Sequence, residues 1–243
     1  MTKPDYTTLL PGALLAATAG SLDGYTFLHQ GAVFAGLQTG NLILLGVHVG
    51  GGQWAEAAHY AGALLTFMFG TAVARSIQHR YPSTARLDRG TLILFYELLL
   101  ISLALLVTQF GPQPVVTWLL AAAAAAQLQE FRSLHGAPFT SLMMTGNLRL
   151  LVESGYDWLL KREQQAKSRT MDILVILLSF AVGAAAVQGL SFILGRSALV
   201  LALAGLLLVI ATGHRKKSLS ALFSNRTEDA KVSPTLKNEK KVK

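Results

Sequence analysis

The same tripeptide, Thr-Gly-Asn, stands twice at the head of a short apolar run in this chain. The residues concerned are Gln38, Thr39, Gly40 and Asn41 in the first copy, and Thr145, Gly146 and Asn147 in the second. A threonine hydroxyl can cap a helix, glycine lets a backbone or a solute approach closely, and an asparagine amide both donates and accepts. Each copy predicts a break in an apolar helix, with Thr39 as the first N-cap, and a half-helix whose N-terminal dipole attracts negative charge.

Carboxylates inside apolar segments form the second set of candidates. They are Asp23, Glu97 and Glu130, and Gln129 precedes the last of these. A charge at the centre of a membrane helix costs about 2.5–3.5 kcal/mol, so each needs a partner, a proton or a wet cavity. We expect Asp23 and Glu130 to line one central cavity with the two tripeptides, where either could carry a proton or hold a cation. The alternatives are that Glu130 lies with Arg132 at headgroup level and that Glu97 is a structural hydrogen-bonding residue.

Composition identifies the elements that must position these residues. Of the 243 residues, 52% are hydrophobic and 14% are charged, and the mean hydropathy is +0.45. Soluble domains carry about 25% charged residues. Several apolar stretches approach the ~20 residues that span a bilayer, so the sequence predicts an all-α, polytopic membrane helix bundle. Strand-type alternation is absent from the sequence, which disfavours a β-barrel.

The amino-acid composition also limits the kinds of function that the protein can have. There is no cysteine, so disulfides and thiolate metal sites are excluded. The net charge of +8 comes from basic residues that flank apolar segments, where they set topology or contact anionic lipid rather than nucleic acid. Metal-ligand spacing, a Ser/His/Asp set and a nucleotide-binding glycine loop are all missing from the sequence. We therefore expect no enzyme activity, no cofactor and no metal.

Six apolar segments could cross the membrane, and two shorter ones could not. The long segments are Leu9–Leu28, His59–Ala74, Thr91–Phe110, Val115–Leu134, Ile173–Leu194 and Ser197–Thr212. The short ones, Asn41–Val49 and Asn147–Val152, each follow a Thr-Gly pair. If only the long ones cross, the basic loops Arg75–Arg89 and Lys161–Arg169 lie on the same side as both termini. Eight crossings would break this asymmetry, so the positive-inside rule favours six spans, two re-entrant or broken half-helices and cytoplasmic termini.

An internal repeat strengthens this interpretation. A shift of 106 residues overlays residues 13–45 on 119–151 with 13 of 33 positions identical, including both Thr-Gly-Asn copies and His29 with His135. A weaker similarity follows between "FMFGTA" at 67–72 and "FAVGAA" at 180–185. Three spans per half would invert the second half relative to the first, which gives a 3+3 inverted-topology repeat. We expect the repeats to be residues 1–114 and 115–213, followed by a disordered basic tail over 214–243.

Three stretches carry a resemblance to a known family. "SLDGYTFL", "GAVFAGLQTGNLILLG" and "TSLMMTGNLRLL" resemble the YoaK-like family of bacterial inner-membrane proteins, a domain of unknown function with six predicted spans. The resemblance covers roughly residues 8–215. It implies the fold, the topology and an inner-membrane location, but no substrate.

The leading functional hypothesis is a small-solute or ion transporter that works by alternating access. A passive channel with a fixed constriction is the first alternative. The second is a non-transporting scaffold or lipid-interacting protein that uses its basic tail. The expected partners are the lipid bilayer, anionic lipid at the basic loops and an unidentified solute or ion, and the chain could form a homo-oligomer.

Overall fold

A computed structural model describes residues 4–81 and 88–213 of the chain. The helices are α1 (Leu9–His29), α2 (Gln38–Gly50), α3 (Trp54–Arg80), α4 (Arg89–Phe110), α5 (Gln113–Glu130), α6 (Met144–Lys161), α7 (Gln164–Leu194) and α8 (residues 200–213). A 3-10 turn, Gly195–Leu199, joins the last two. Part of the basic loop, 82–87, and the tail 214–243 lie outside the described residues. The prediction of an all-α helix bundle is confirmed.

Three helical stretches within the described ranges are long and apolar enough to cross a membrane, judged by length and composition. They are α3, α4 and the continuous stretch Gln164–Gly213, which contains the predicted fifth and sixth spans. Helices α1 and α5 coincide with the predicted first and fourth spans but are not among these three. Six spans therefore stays a prediction.

Two tight helix crossings hold the bundle together. Helix α1 packs on α7, and α3 packs on α5. In the first crossing, a β-carbon on Gly20 would collide with the backbone of Phe180, and one on Gly183 would collide with that of Ala17. In the second, a β-carbon on Gly70 would lie 2.6 Å from the carbonyl oxygen of Ala122. Glycine is needed at both crossings because the helix backbones touch, as small residues permit in membranes.

The half-helices α2 and α6 each pack on the long helix that follows, α3 and α7 respectively. Helix α2 is apolar, and Leu42, Ile43 and Val47 are each 60–62% exposed on its outer face. Helix α6 is three times longer than the predicted Asn147–Val152 segment. The extension past Val152 carries charges spaced four residues apart that pair along the helix, so hydrophobicity alone did not show where α6 ends.

The predicted fourth span, Val115–Leu134, is too long at its end. Helix α5 stops at Glu130, and a hairpin follows in which strand β1 (Ser133–Leu134) pairs antiparallel with β2 (Ala137–Pro138). His135 and Gly136 form the turn with φ of 49° and 80°. Two consecutive positive φ values are typical of a tight two-residue hairpin, and His-Gly supplies the glycine that it favours.

Candidate functional site

The loops that precede the two half-helices meet inside the bundle. A β-carbon placed on Gly36, in the loop before α2, would lie 2.5 Å from Cδ2 of Leu142, in the loop before α6. These two residues occupy the same position in the 106-residue repeat. Leu142 is only 3% exposed. The chain thus brings the two breaks into direct contact, and Gly36 leaves room for the Leu142 side chain.

Asp23 lies at this junction. Its Oδ1 accepts a hydrogen bond of 2.6 Å from the backbone N–H of Gly36, and the amides of Ala35 and Leu37 also interact with the carboxylate. The side chain is 6% exposed. No ion pair to Asp23 occurs among the described residues. A buried carboxylate without a basic partner therefore sits just before the N-terminus of α2.

The prediction that Thr39 caps this helix is wrong. Helix α2 begins at Gln38 with Leu37 as N-cap, and no side chain caps it there. Thr39 is exposed in the first turn, and Gly40 packs on Phe34. Because Asp23 already takes the amides that lead into the helix, its charge complements the positive end of the dipole. The positive N-terminal end of α2 therefore lies beside a negative group of the chain itself, the Asp23 carboxylate.

Asn41 fastens the loop to α2. Its Oδ1 accepts from the backbone N–H of Phe34 at 2.9 Å, and its Nδ2 donates to the carbonyl of Phe34 at 2.7 Å and to Oε1 of Gln38 at 3.0 Å. Gln38 in turn donates to the carbonyl of Ala35 at 2.7 Å. Asn41 is fully buried. Its amide thus satisfies polar backbone that the helix break exposes.

Asn147 makes the equivalent bond in the second half. Its Nδ2 donates to the carbonyl of Thr140 at 2.9 Å and contacts Sδ of Met144 at 3.7 Å. Both intervals, seven and three residues, repeat those of Asn41. Thr145 and Gly146 are exposed, like Thr39. In each copy of the motif, the asparagine is therefore the residue that holds the break together.

Gln127 is a buried site residue that the sequence prediction left out. It is fully buried on α5, where its Nε2 donates to Oγ of Ser141 at 2.6 Å and to the carbonyl of Leu15 at 3.0 Å. It ties the loop before α6 to α5, as Asp23 ties the loop before α2 to α1. The repeat pairs Asp23 with Gln129 instead, which is why sequence alignment did not single out Gln127.

Glu130 and Gln129 lie elsewhere. Glu130 forms an ion pair with Arg89 at 2.7 Å and accepts from Gln78 at 2.9 Å, and Gln129 also bonds to Gln78. Gln127, one helical turn before Glu130, contacts Leu15, and Asp23 lies eight residues beyond Leu15. At 1.5 Å per residue, Leu15 and Asp23 are ~12 Å apart along the α1 axis.

Glu130 thus contacts other groups than Asp23 does, and no contact joins the two carboxylates among the described residues. The end of α5 also differs chemically from the loop junction, because Tyr6 packs edge-on against Phe131 there and bonds to Thr91 at 2.8 Å. Burial raises the pKa of this phenol to about 12. Arg132 is exposed.

Glu97 stands apart from both groups. It is 1% exposed on the inward face of α4, and its Oε1 has no hydrogen-bond partner among the described residues. An ionised carboxylate in this position would be strongly unfavourable, so Glu97 needs a proton or a bound cation.

Comparisons with known proteins agree with the membrane architecture. Residues 12–212 match a family model described as "Protein of unknown function (DUF1275)". The chain is similar to UPF0700 transmembrane protein YoaK of Bacillus subtilis (strain 168), with 27% identity over 177 residues, which cover 71% of this chain and 79% of that protein. No solved structure matches this chain. Together with the apolar helices, this similarity identifies an integral membrane protein.

Proposed function

We propose that this chain, which belongs to the family described as "Protein of unknown function (DUF1275)", transports a small solute or ion across the membrane. The observation that carries the proposal is the contact between Gly36 and Leu142 with Asp23 buried beside it. In a six-span, inverted topology, the two loops enter from opposite faces, and paired helix breaks mark the binding sites of many transporters.

The chemistry of the junction favours a cation or a proton as the transported or coupling species. Asp23 has a buried carboxylate with backbone donors but no basic partner among the described side chains. Intramembrane carboxylates of this kind pair with a cation or exchange a proton during transport. Glu97, also buried and unpaired at Oε1, is a second group through which a proton could pass.

The loop contact suggests how access would alternate. Leu142 closes against Gly36, so a solute can pass only if the two loops separate. Asn41 and Asn147 fix each loop to its own half-helix. Each loop and half-helix would therefore move as a unit, and the contact between the halves would open and close.

Cross-linking can test this mechanism because the chain has no cysteine. A Gly36→Cys, Leu142→Cys double variant would be reconstituted in proteoliposomes and treated with a short bifunctional thiol reagent. The assay would measure uptake of Na⁺, K⁺, amino acids and sugars, with pyranine to report proton movement. We expect saturable uptake with counterflow in the wild type and loss of uptake in the cross-linked variant. Each single-cysteine variant, treated in the same way, is the matched control.

Three results would contradict the proposal. Linear flux without counterflow would indicate a channel. Undiminished flux after cross-linking would show that the loops need not separate. A non-transporting membrane protein would be favoured if no solute of the panel moves and cells with the Asp23→Asn variant behave like cells with the wild-type protein.

A further inference from the structure

A second candidate site lies away from the loop junction, between α6, α7 and the β1–β2 hairpin. It is a cavity of about 610 Å³. Its floor is apolar and includes Phe139, Ile173 and Ile176, all at most 8% exposed. The charged residues that line its rim are four acidic ones, Glu153, Asp157, Glu163 and Asp172, and one arginine, Arg169. A cavity of this size with an apolar floor is typical of a small-molecule site, and the excess of acidic over basic lining residues gives it a net negative charge.

The first half of the chain fills the equivalent space. There, Val33, Tyr60 and Ala63 form a buried cluster with Leu44 and Leu45 packed against it. The internal repeat aligns Val33 with Phe139, and the offset that overlays "FMFGTA" on "FAVGAA" aligns Tyr60 with Ile173 and Ala63 with Ile176. The same position is thus closed by a tyrosine ring in one half and left open in the other.

Three of the acidic residues of the rim belong to the second half alone. The repeat aligns Glu153, Asp157 and Asp172 with Val47, Gly51 and His59. Their present partners lie on exposed surface: Glu153 is 3.6 Å from Arg149 and Asp157 is 2.8 Å from Lys161, both pairs spaced four residues apart. Asp172 contacts His135 at 2.7 Å. Exposed pairs of this type are weak, so a bound cation could replace them.

A polar atom in the lining of the cavity provides a second observation that favours a ligand. Asn147 lines the cavity and is 4% exposed. Its Nδ2 is bonded to Thr140, but its Oδ1 accepts no hydrogen bond from the part of the chain that the structure describes. In Asn41, the corresponding oxygen accepts from Phe34. The second half therefore leaves an acceptor free beside the cavity.

We propose that this cavity binds an organic cation with an apolar body, such as an alkylammonium group. The ammonium would pair with a carboxylate of the rim, Glu153, Asp157 or Asp172, and the apolar body would cover Phe139, Ile173 and Ile176. The apolar floor of Phe139, Ile173 and Ile176 favours an organic cation over a metal ion, since a bare ion would leave that surface uncovered. Of the residues discussed at the loop junction, Asn147 also lines this cavity, and the rim carboxylates and the apolar floor lie outside the junction, so binding here and transport can fail separately.

The test measures hexylammonium binding to the full chain in a non-ionic detergent by calorimetry, with hexanoate as the probe of opposite charge. We expect hexylammonium to bind and hexanoate not to bind. Glu153→Gln, Asp157→Asn, Asp172→Asn together should weaken binding at least about tenfold. Glu56→Gln, which removes an exposed carboxylate on α3, is the matched control and should leave binding unchanged.

A steric variant separates the cavity from general surface charge. Ile173→Tyr places in the second half the residue that fills the first half, while all carboxylates stay. We expect it to remove binding without lowering the midpoint of thermal unfolding. Retained binding in Ile173→Tyr, equal binding of hexanoate, or no hexylammonium binding at all would overturn the proposal. If phosphatidylethanolamine competes with hexylammonium and phosphatidylglycerol does not, the natural ligand is a lipid headgroup. If neither lipid competes, the natural ligand is a free amine.

Discussion

The Asp23 carboxylate interacts with three successive backbone amides of the loop before α2, so its replacement should first loosen that loop. Asp23→Ala leaves the N–H of Gly36 without its acceptor, whereas that of Ala35 still donates to Thr26, and a buried donor without an acceptor costs about 1–3 kcal/mol. Asp23→Asn keeps an acceptor oxygen and should cost less. The midpoint of thermal unfolding in detergent measures both. Glu153→Ala, which removes only an exposed helical pair, should cost less than about 1 kcal/mol, and an equal loss in that control would refute a specific role of Asp23.

The two motif asparagines should differ in their contribution to stability. Asn41 makes three hydrogen bonds, two of them to the backbone of Phe34, whereas Asn147 makes one to the backbone of Thr140. At about 0.5–1.5 kcal/mol per bond, Asn41→Ala should destabilise the protein clearly more than Asn147→Ala does. Unfolding midpoints of the two variants decide this. The reverse order would show that the bonds to Phe34 are not formed.

Sequence alone identified Asp23 and both asparagines because polar groups are conspicuous in apolar segments. It selected Gln129 over Gln127 because the repeat aligns Gln129 with Asp23. On an α-helix, side chains two positions apart point in directions that differ by ~200°. Gln129 accordingly faces Gln78 on α3, and Gln127 faces the loop. Which side of α5 meets the loop depends on how the helices pack, and that information is not present in a local pattern.

At the scale of helices, Gly183 and Gly189 of α7 provide a matched pair. A β-carbon at Gly183 would collide with the backbone of Ala17 on α1, whereas one at Gly189 would meet nothing within 4 Å. Gly183→Ala should therefore destabilise the α1–α7 crossing. Gly189→Ala should be neutral or stabilise the helix by up to about 1 kcal/mol. Unfolding midpoints that fall equally in both variants would argue against the close crossing.

Helix positions were more predictable than helix ends. Apolar runs located α1, α3, α4, α5, α7 and α8 because burial in lipid or in the bundle demands hydrophobic residues. The ends depend on polar detail. Helix α5 stops at Glu130, ahead of the hairpin whose turn residues His135 and Gly136 have positive φ values. The second half of α6 is more polar, with Asp157 and Lys161 paired on its surface, and so lies outside the apolar run. Loop contacts decided the start of α2 as well, since Asp23 rather than Thr39 takes the leading amides.

For the whole molecule, the packing of the helices follows the repeat. Helix α1 packs on α7 as its repeat partner α5 packs on α3, and α2 packs on α3 as α6 packs on α7. The glycines of "FMFGTA" and "FAVGAA", Gly70 and Gly183, each lie at one of the tight crossings. Equivalent contacts in the two halves are what an inverted repeat requires, but contacts within the chain do not fix which side of a membrane each loop faces.

Single-cysteine labelling can determine that orientation. Ala55 at the start of α3 and Ser168 at the start of α7 occupy matching positions at the offset that aligns Gly70 with Gly183, and both are exposed. We expect Ala55→Cys to react with a membrane-impermeant maleimide added to intact spheroplasts. Ser168→Cys should react only after the membrane is opened, because the predicted topology places it with the basic loops. Labelling of both positions from the same side would exclude inverted halves and, with them, the entry of the two loops from opposite faces.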